Sequence, residues 1–498
     1  MSSLAASTLG AVVPEPPHWF DCDRTPAPAE CAWLTVPLDR ADPDARTIRL
    51  PVKRLRALDD RRIGTLVTIA GGPGQRGTLG VWPGAHTEAI HERFDIVSWD
   101  PRGTSGETLI DCIPEWDPFD GLDRTPDSPA ERQRLDERIA ALASRCVEAH
   151  TDVLPHLGAV EDALDLEALR LLLGEDRISL LGSSYGSQVA LIYATLFPHR
   201  VRAVVLDGYS DPNLSPGERE LEQAASYERE LERMLAGCSA DAACPLDGEA
   251  DLGREGDPGG TLDRLLERLD AAPLPTAAGG SLGQSDAYEA IVGALTRDDT
   301  ARQALLRALA DADDGDGTAL LGIATEVRRS YQASGLTLGA FMALYCADTS
   351  AYWHGLSAHE AARLTARVWE AAPRLGAWLW SLPADPDLPP VGLCAMHRPR
   401  FAAPAAPLSS RPFDAAGAGP VLILASSGDP STPIEAARRA LDDVERAVLV
   451  VLDAPQHLAY HYAVHRPERS ASRCLLEVVE TYLIGLTVPS GEVTCADG

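Results

Sequence analysis

A single lysine, Lys53, occurs in the 498 residues of this chain. No Gly-Lys-Ser or Gly-Lys-Thr is present, so a phosphate-cradling P-loop is excluded. Lys53 itself falls in a predicted strand, a poor setting for a Schiff-base amine. Apolar runs of about 18 residues are missing as well, so no membrane-spanning helix is predicted. There is no Cys-x-x-Cys, which removes zinc-ribbon and thioredoxin-type chemistry. Basic charge as a whole is scarce: 44 Lys and Arg stand against 74 Asp and Glu, a formal charge of −30. Such a field repels nucleic-acid phosphates and anionic lipid surfaces, so neither is expected as a partner. It keeps the protein soluble, and it attracts cations such as a free peptide amine.

What is present is the composition of a soluble globular enzyme, 45% apolar and 24% charged. The length exceeds what one hydrophobic core organises, so two lobes or a core with a large insertion are expected. Ten cysteines fall into neighbouring couples: Cys22 and Cys31, Cys112 and Cys146, Cys238 and Cys244, Cys346 and Cys394, Cys474 and Cys495. An even set argues for disulfides and an oxidising compartment. The apolar stretch 4–13 lacks a preceding basic region and is diluted by Ser, Thr and Gly, which makes a poor signal peptide. Export of a mature form is the expectation, with a reduced cytoplasmic protein as the alternative.

Short apolar runs at 47–55, 64–70, 94–99, 177–181 and 201–206 read as strands, and the later ones are near-continuous apolar runs. Strands buried on both faces require that composition. Helical spacing fills 160–173 and 185–197. Alternation of strand and helix implies a parallel sheet built from βαβ units. From 213 to 411 the pattern turns to amphipathic helices, such as 217–235 and 356–369, broken by Gly/Asp/Pro-rich loops. Strand character resumes at 421–424 and 447–452, with a helix at 434–441 between and another at 474–484. The expected organisation is an α/β core over 1–212 and 412–498, with a mainly helical cap over 213–411.

The chemistry concentrates at Gly182-Ser183-Ser184-Tyr185-Gly186, which follows an apolar strand and opens a helix. A nucleophilic serine needs that sharp strand-to-helix turn, and glycines on either side let strand and helix approach. Ser184 is therefore the candidate nucleophile, with Ser183 and Ser187 structural. The backbone N–H of Tyr185 should serve the oxyanion. A second donor should come from the loop Ala70-Gly71-Gly72-Pro73-Gly74, for which Gly72 is the choice. The acid and then the base should follow the serine in the chain. Asp429 follows the run at 421–424, and His457 follows the run at 447–452. Asp207 and Asp453 are rival acids, because each also ends a predicted strand. His461 and His465 read as packing or surface residues.

The run 164–211 resembles the secreted tripeptidyl aminopeptidases and their proline-iminopeptidase-like relatives among the α/β-hydrolases. The matching pieces there are Asp165-Leu166-Glu167-Ala168-Leu169-Arg170, the Ser184 turn, Phe197-Pro198 and Leu206-Asp207-Gly208. Cys31 with Val36-Pro37-Leu38-Asp39, Gly71-Gly72-Pro73-Gly74 and Asp100-Pro101-Arg102-Gly103 lie on one side. Cys346-Ala347-Asp348 and Asp429-Pro430-Ser431-Thr432-Pro433 lie on the other. The likeness spans the chain and is weakest over 245–340. It implies the α/β-hydrolase fold, removal of peptides from a free N-terminus, no metal and no organic cofactor. It also implies cap carboxylates that hold the substrate amine, with Asp348 first and Glu222 second as candidates. Ala70 and Gln456 depart from the pattern, where related iminopeptidases carry His and Gly respectively.

Three functions therefore stand: an aminopeptidase-type serine hydrolase acting on small peptides, an esterase, thioesterase or lactonase using the same triad on another acyl substrate, and a non-catalytic binding protein. An epoxide hydrolase or dehalogenase is disfavoured, because those relatives need aspartate where Ser184 stands. Motifs of this kind carry no oligomeric state.

Overall fold

The computed structural model describes residues 16–22, 29–42, 46–113, 119, 121–241, 243–246, 257–277, 279–379, 394 and 412–497. The apolar stretch 4–13 and the segments 380–393 and 395–411 of the expected cap lie outside them.

Ten strands form one sheet: β1 (Phe20–Asp21), β2 (Ala29–Pro37), β3 (Thr47–Leu55), β4 (Gly64–Ile69), β5 (Phe94–Trp99), β6 (Ile178–Ser183), β7 (Val201–Asp207) and, after a hairpin of β8 (Leu274–Pro275) and β9 (Ser281–Leu282), β10 (Val421–Ser426), β11 (Ala447–Leu452) and β12 (Val493–Cys495). Their spatial order is β1-β2-β3-β5-β4-β6-β7-β10-β11-β12. From β5 through β12 neighbours run parallel, while β1, β2 and β3 add an antiparallel flank. The flank strand β2 and the edge strand β12 escaped the sequence reading. Strand β2 alternates buried and exposed positions from Trp33 to Val36, so its periodicity is half-buried rather than apolar throughout.

Four helices belong to the first part of the core: α1 (Glu88–Arg93), α2 (Pro129–His150), α3 (Ala159–Leu172) and α4 (Tyr185–Leu196). Between β7 and β10 come α5 (Pro216–Ser239), α6 (Pro258–Ala271), α7 (Gln284–Leu295), α8 (Asp299–Asp313), α9 (Thr318–Ala333), α10 (Leu338–Gly355), α11 (Ala358–Ala371) and the single turn α12 (Gly376–Leu379). The core then closes with α13 (Ile434–Asp443), α14 (Ala459–His465) and α15 (Ser470–Gly485).

Successive strand side chains point to opposite faces. Leu180, Val204 and Ile423 pack with α3, α4 and α13, whereas Leu181, Val205 and Leu422 pack with α1, α14 and α15. Two apolar faces, each covered by helices, explain why these strands are largely apolar. The inserted helices have their own core: Leu231, Leu265, Ile291, Leu305 and Leu320 join α5 to α9. Helix α10 packs instead with α2 and α11. All ten cysteines are bonded, in the five neighbouring couples expected. Five disulfides fit an oxidising compartment. No helix among the described residues is long and apolar enough to cross a membrane.

Two of the resemblance motifs are one structure. Arg102 and Asp165 are both wholly buried and meet through two hydrogen bonds, at 2.6 and 2.9 Å. The rest of the guanidinium donates to the carbonyls of Pro37, Leu38 and His156. A buried cation satisfied in this way is stable only with its partners in place. Arg102→Met should therefore lower unfolding free energy by roughly 3 kcal/mol, even with Arg40 still beside Asp165. Urea denaturation under non-reducing conditions would measure it, and a loss well under ~1 kcal/mol would refute the claim.

Candidate active site

The parallel strands β4, β6, β7, β10 and β11 are consecutive in the sheet. The loops that leave their C-terminal ends hold Gly71–Gly74, Ser184, Asp207, Asp429 and His457, in that order. Ligands of open α/β sheets bind at this edge. Residues distant in sequence are thus brought together by strand order alone.

Ser184 lies at φ 54° and ψ −124°, a conformation L-residues rarely adopt. Its N–H donates to the carbonyl of Asp207 at 2.8 Å, and its own carbonyl accepts from Ser187 N–H (2.8 Å) and Ser187 Oγ (2.6 Å). Ser187 Oγ also receives the N–H of Ser210, so this structural serine ties the turn to the end of β7. The flanking glycines are needed for clearance. A Cβ on Gly182 would lie 2.3 Å from the Gly186 carbonyl oxygen, and one on Gly186 would lie 2.2 Å from that of Ile69.

That approach sets the candidate oxyanion loop beside Ser184. A Cβ on Gly71 would lie 2.9 Å from Ser184 Cβ. Gly72 has φ 106°, open to glycine alone without strain. Asp100, wholly buried, holds the following turn: it accepts from Thr78 N–H (3.0 Å), Thr78 Oγ1 (2.7 Å) and Arg76 Nε (2.8 Å). Tyr185 is the first residue of α4, where backbone N–H groups have no helical acceptor. Gly71, the neighbour of Gly72, and Tyr185 thus both adjoin Ser184.

On the far side, His457 Nδ1 and Asp429 Oδ2 are 2.7 Å apart. The acid is buried (2% exposed) and held on every side. Its Oδ1 accepts from the N–H groups of Ser431 and Thr432, and its Oδ2 accepts from Thr432 Oγ1. Thr432 Oγ1 also lies 3.3 Å from His457 Nδ1. Thr432 is a candidate positioning residue that sequence reasoning missed, although Asp429-Pro-Ser-Thr is a recognisable turn in which the fourth residue can return a hydroxyl to the first side chain. Burial alone would push the imidazole pKa down; the charge and hydrogen bond of Asp429, aided by Asp207, outweigh it and raise the value. No hydrogen bond joins Ser184 Oγ to His457 among the described residues, and such contacts commonly tighten only with substrate bound. The ring lies just past β7, beside the residue that follows the Asp207 whose carbonyl accepts the Ser184 N–H: a Cβ on Gly208 would meet His457 Cε1 at 3.3 Å.

The rival acid Asp207 has another task. Its carboxylate accepts the N–H groups of Ala459, Tyr460 and His461, capping α14 just beyond His457. Asp453 is bonded to Ser427 Oγ at 2.8 Å. His461 and His465 stack on each other edge to face, and burial takes His461 down to about 4.

The two candidate amine-binding acids are placed differently from expectation. Asp348 does not stand free: Oδ2 accepts from Tyr185 OH at 2.7 Å and Oδ1 from Ala159 N–H at 2.9 Å. It links α10 to the residue after the nucleophile and to the start of α3. Burial raises its carboxyl pKa against these hydrogen bonds. Glu222 is paired elsewhere. Its carboxylate pairs bidentately with Arg439 on α13, at 2.7 and 3.0 Å. It faces a surface groove with Arg229, Arg367, Glu370 and Glu435, none of them a triad or oxyanion residue. Both outcomes depend on partners from distant segments, which no local motif announces.

Residues 64–250 match a family model described as alpha/beta hydrolase fold, and residues 391–495 match one described as TAP-like protein. Serine protease Hip1 of Mycobacterium tuberculosis (strain ATCC 25618 / H37Rv) is 31% identical over 507 residues, 97% of this chain and 91% of that protein. The tripeptidyl aminopeptidase of Streptomyces lividans is 34% identical over 211 residues, 39% of this chain and 38% of that protein. A Mycobacterium tuberculosis (strain CDC 1551 / Oshkosh) protein named Carboxylesterase B is 29% identical over 523 residues, 99% of this chain and 92% of that protein.

The Asp429–His457 pair has a signature in pH. A base works when neutral, so activity should rise with pH through a His457 pKa above its ordinary value of about 6.5. Asp429→Asn removes the charge that raises it. The acid limb should then move to lower pH, while kcat falls by about 10⁴-fold as the tautomer is lost. An unmoved limb in the pH–rate profile would exclude Asp429 as the partner.

Proposed function

This chain belongs to the α/β-hydrolase family that carries a TAP-like C-terminal region, and on that premise we propose that it is a serine peptidase acting on peptides with a free N-terminus. Ser184 attacks the carbonyl carbon, and His457 takes its proton as the tetrahedral oxyanion forms between the N–H groups of Gly72 and Tyr185. Asp429 holds the imidazole tautomer and stabilises the imidazolium. The imidazolium protonates the leaving amine, and His457 then activates water against the acyl-enzyme.

The observation that carries the reading is the hydrogen-bonded His457–Asp429 pair at the strand ends flanking the strained Ser184 turn. The relatives named serine protease and tripeptidyl aminopeptidase support a peptide as the substrate. Residues 213–411 are then a cap over the core, and Asp348 is its contribution to the amine site. A carboxylate offers about four lone-pair positions, so the bonds from Tyr185 and Ala159 leave it able to accept an ammonium as well. Raised by burial, Asp348 would gain from such a cation, which favours its charged form. The five disulfides support a secreted protein. The likeness to Carboxylesterase B favours a second reading, an esterase working with the same residues. Ester and amide hydrolysis share this machinery, and the cap pocket decides between them.

Tripeptidyl, dipeptidyl and single-residue anilides, each with free and acetylated amine, should be compared with a simple ester, using Ser184→Ala as the blank. The expected result is cleavage of free-amine anilides and at least a tenfold loss of kcat/KM on acetylation, on the order expected when a buried charge loses its partner. Ester turnover alone, indifferent to the amine, would replace the peptidase reading with the esterase one.

A further inference from the structure

Arg302 stands on α8, among the inserted helices, and is 6% exposed. Its guanidinium reaches two catalytic loops at once. Nη2 donates to the carbonyl of Gly428, the residue before Asp429, at 3.3 Å, and to the carbonyl of Pro455, two before His457, at 2.5 Å. Nη2 also donates to Leu295 O at 2.7 Å, and Nη1 pairs with Glu230 of α5 at 3.0 Å. Glu230 is itself pressed against the acid loop: a Cβ on Gly428 would lie 3.0 Å from its Oε2.

Other contacts run the same way. The N–H of His457 donates to the carbonyl of Thr296, just past α7, at 3.0 Å. On α5, Gln223 Nε2 donates to Ser431 O, Tyr227 OH is 2.7 Å from Ser431 Oγ, and Ser226 Oγ donates to the carbonyl of Asp429. The backbone of both loops is therefore held from the inserted helices as well as from the sheet.

Resting on the triad reading, we infer that Arg302 is a positioning residue: its cation fastens the acid loop and the base loop to one point and so sets the separation of Asp429 from His457. The inserted helices are then part of the catalytic frame, beyond covering the substrate. A guanidinium suits the role because its rigid fork presents several donors in fixed directions, and because a charged donor strengthens each bond to a carbonyl. Lysine, a single rotatable ammonium, holds fewer of these contacts at once.

The test is steady-state hydrolysis of a small p-nitrophenyl ester by the full-length protein, normalised to sites labelled by a fluorophosphonate. Arg302→Met should lower kcat per labelled site by about 10- to 100-fold, the scale of a displacement near 1 Å at a reacting pair, with KM within about threefold. It should also move the acid limb of kcat to lower pH, because loosening Asp429 weakens what raises the imidazole. The other groups facing that ring, Asp207 at the end of β7 and His461 on α14, are unchanged. Arg302→Lys should recover part of both effects. Should Arg302→Met fail to fold, Arg302→Met with Glu230→Gln leaves no stranded carboxylate and should show the same two effects. Wild-type kcat per site with an unmoved acid limb, in either folded variant, would overturn the inference and leave Arg302 a docking residue. Turnover surviving in Ser184→Ala would instead bring down the triad reading, and this inference with it.

Discussion

The backbone of Ser184 is the constraint around which the rest of this protein is arranged. A non-glycine residue held at φ 54° costs on the order of 1–3 kcal/mol and persists only where its surroundings over-determine it. Here they do. The Asp207 carbonyl takes the serine N–H, Ser187 fastens the serine carbonyl, and three glycines admit backbone where any side chain would collide. The strand before the turn and the helix after it are both buried in the core, so the turn has no room to relax. That packing leaves Ser184 half-buried at the bend.

Charge is handled by one kind of cation. With a single lysine in the chain, the buried positive groups among the described residues are guanidinium, and each bridges carbonyls as well as carboxylates. Arg102 joins Asp165 to the Pro37 and Leu38 carbonyls beneath the site, and Arg170 joins Glu167 to the Glu175 carbonyl behind α4. Arg302 does the same across the loops that hold Asp429 and His457. A fork of fixed donors can satisfy several acceptors from different segments, which a dry interior requires of any charge it holds.

Much of this was legible in the residues. The strands β4, β5, β6, β7, β10 and β11 announce themselves as short, largely apolar runs, because burial on both faces leaves few polar positions. Strand β3 alternates, with Ile48, Leu50 and Val52 buried. The serine turn is legible because its geometry demands glycine at fixed offsets. Cysteine couples close in sequence were paired as read. Strand β2 is half-buried, and Glu30 and Thr35 interrupt its apolar residues. Asp348 and Glu222 looked alike as cap acids and differ entirely in place. One is tied to Tyr185 across 163 positions, the other to Arg439 across 217.

By itself the sequence determined the chemistry offered: a serine on a glycine-flanked turn, then an acid and a histidine each at a strand's end. Those are local matters, set by backbone sterics and by the two periodicities of side-chain direction. Only the tertiary structure decided which groups meet. It assigned Asp429 rather than Asp207 to the imidazole, brought Thr432 under the pair, turned Asp348 toward Tyr185 and placed Arg302 across both loops. Hydrogen-bond partners are chosen by strand order and helix packing, and these bring together residues whose neighbourhood no local pattern records.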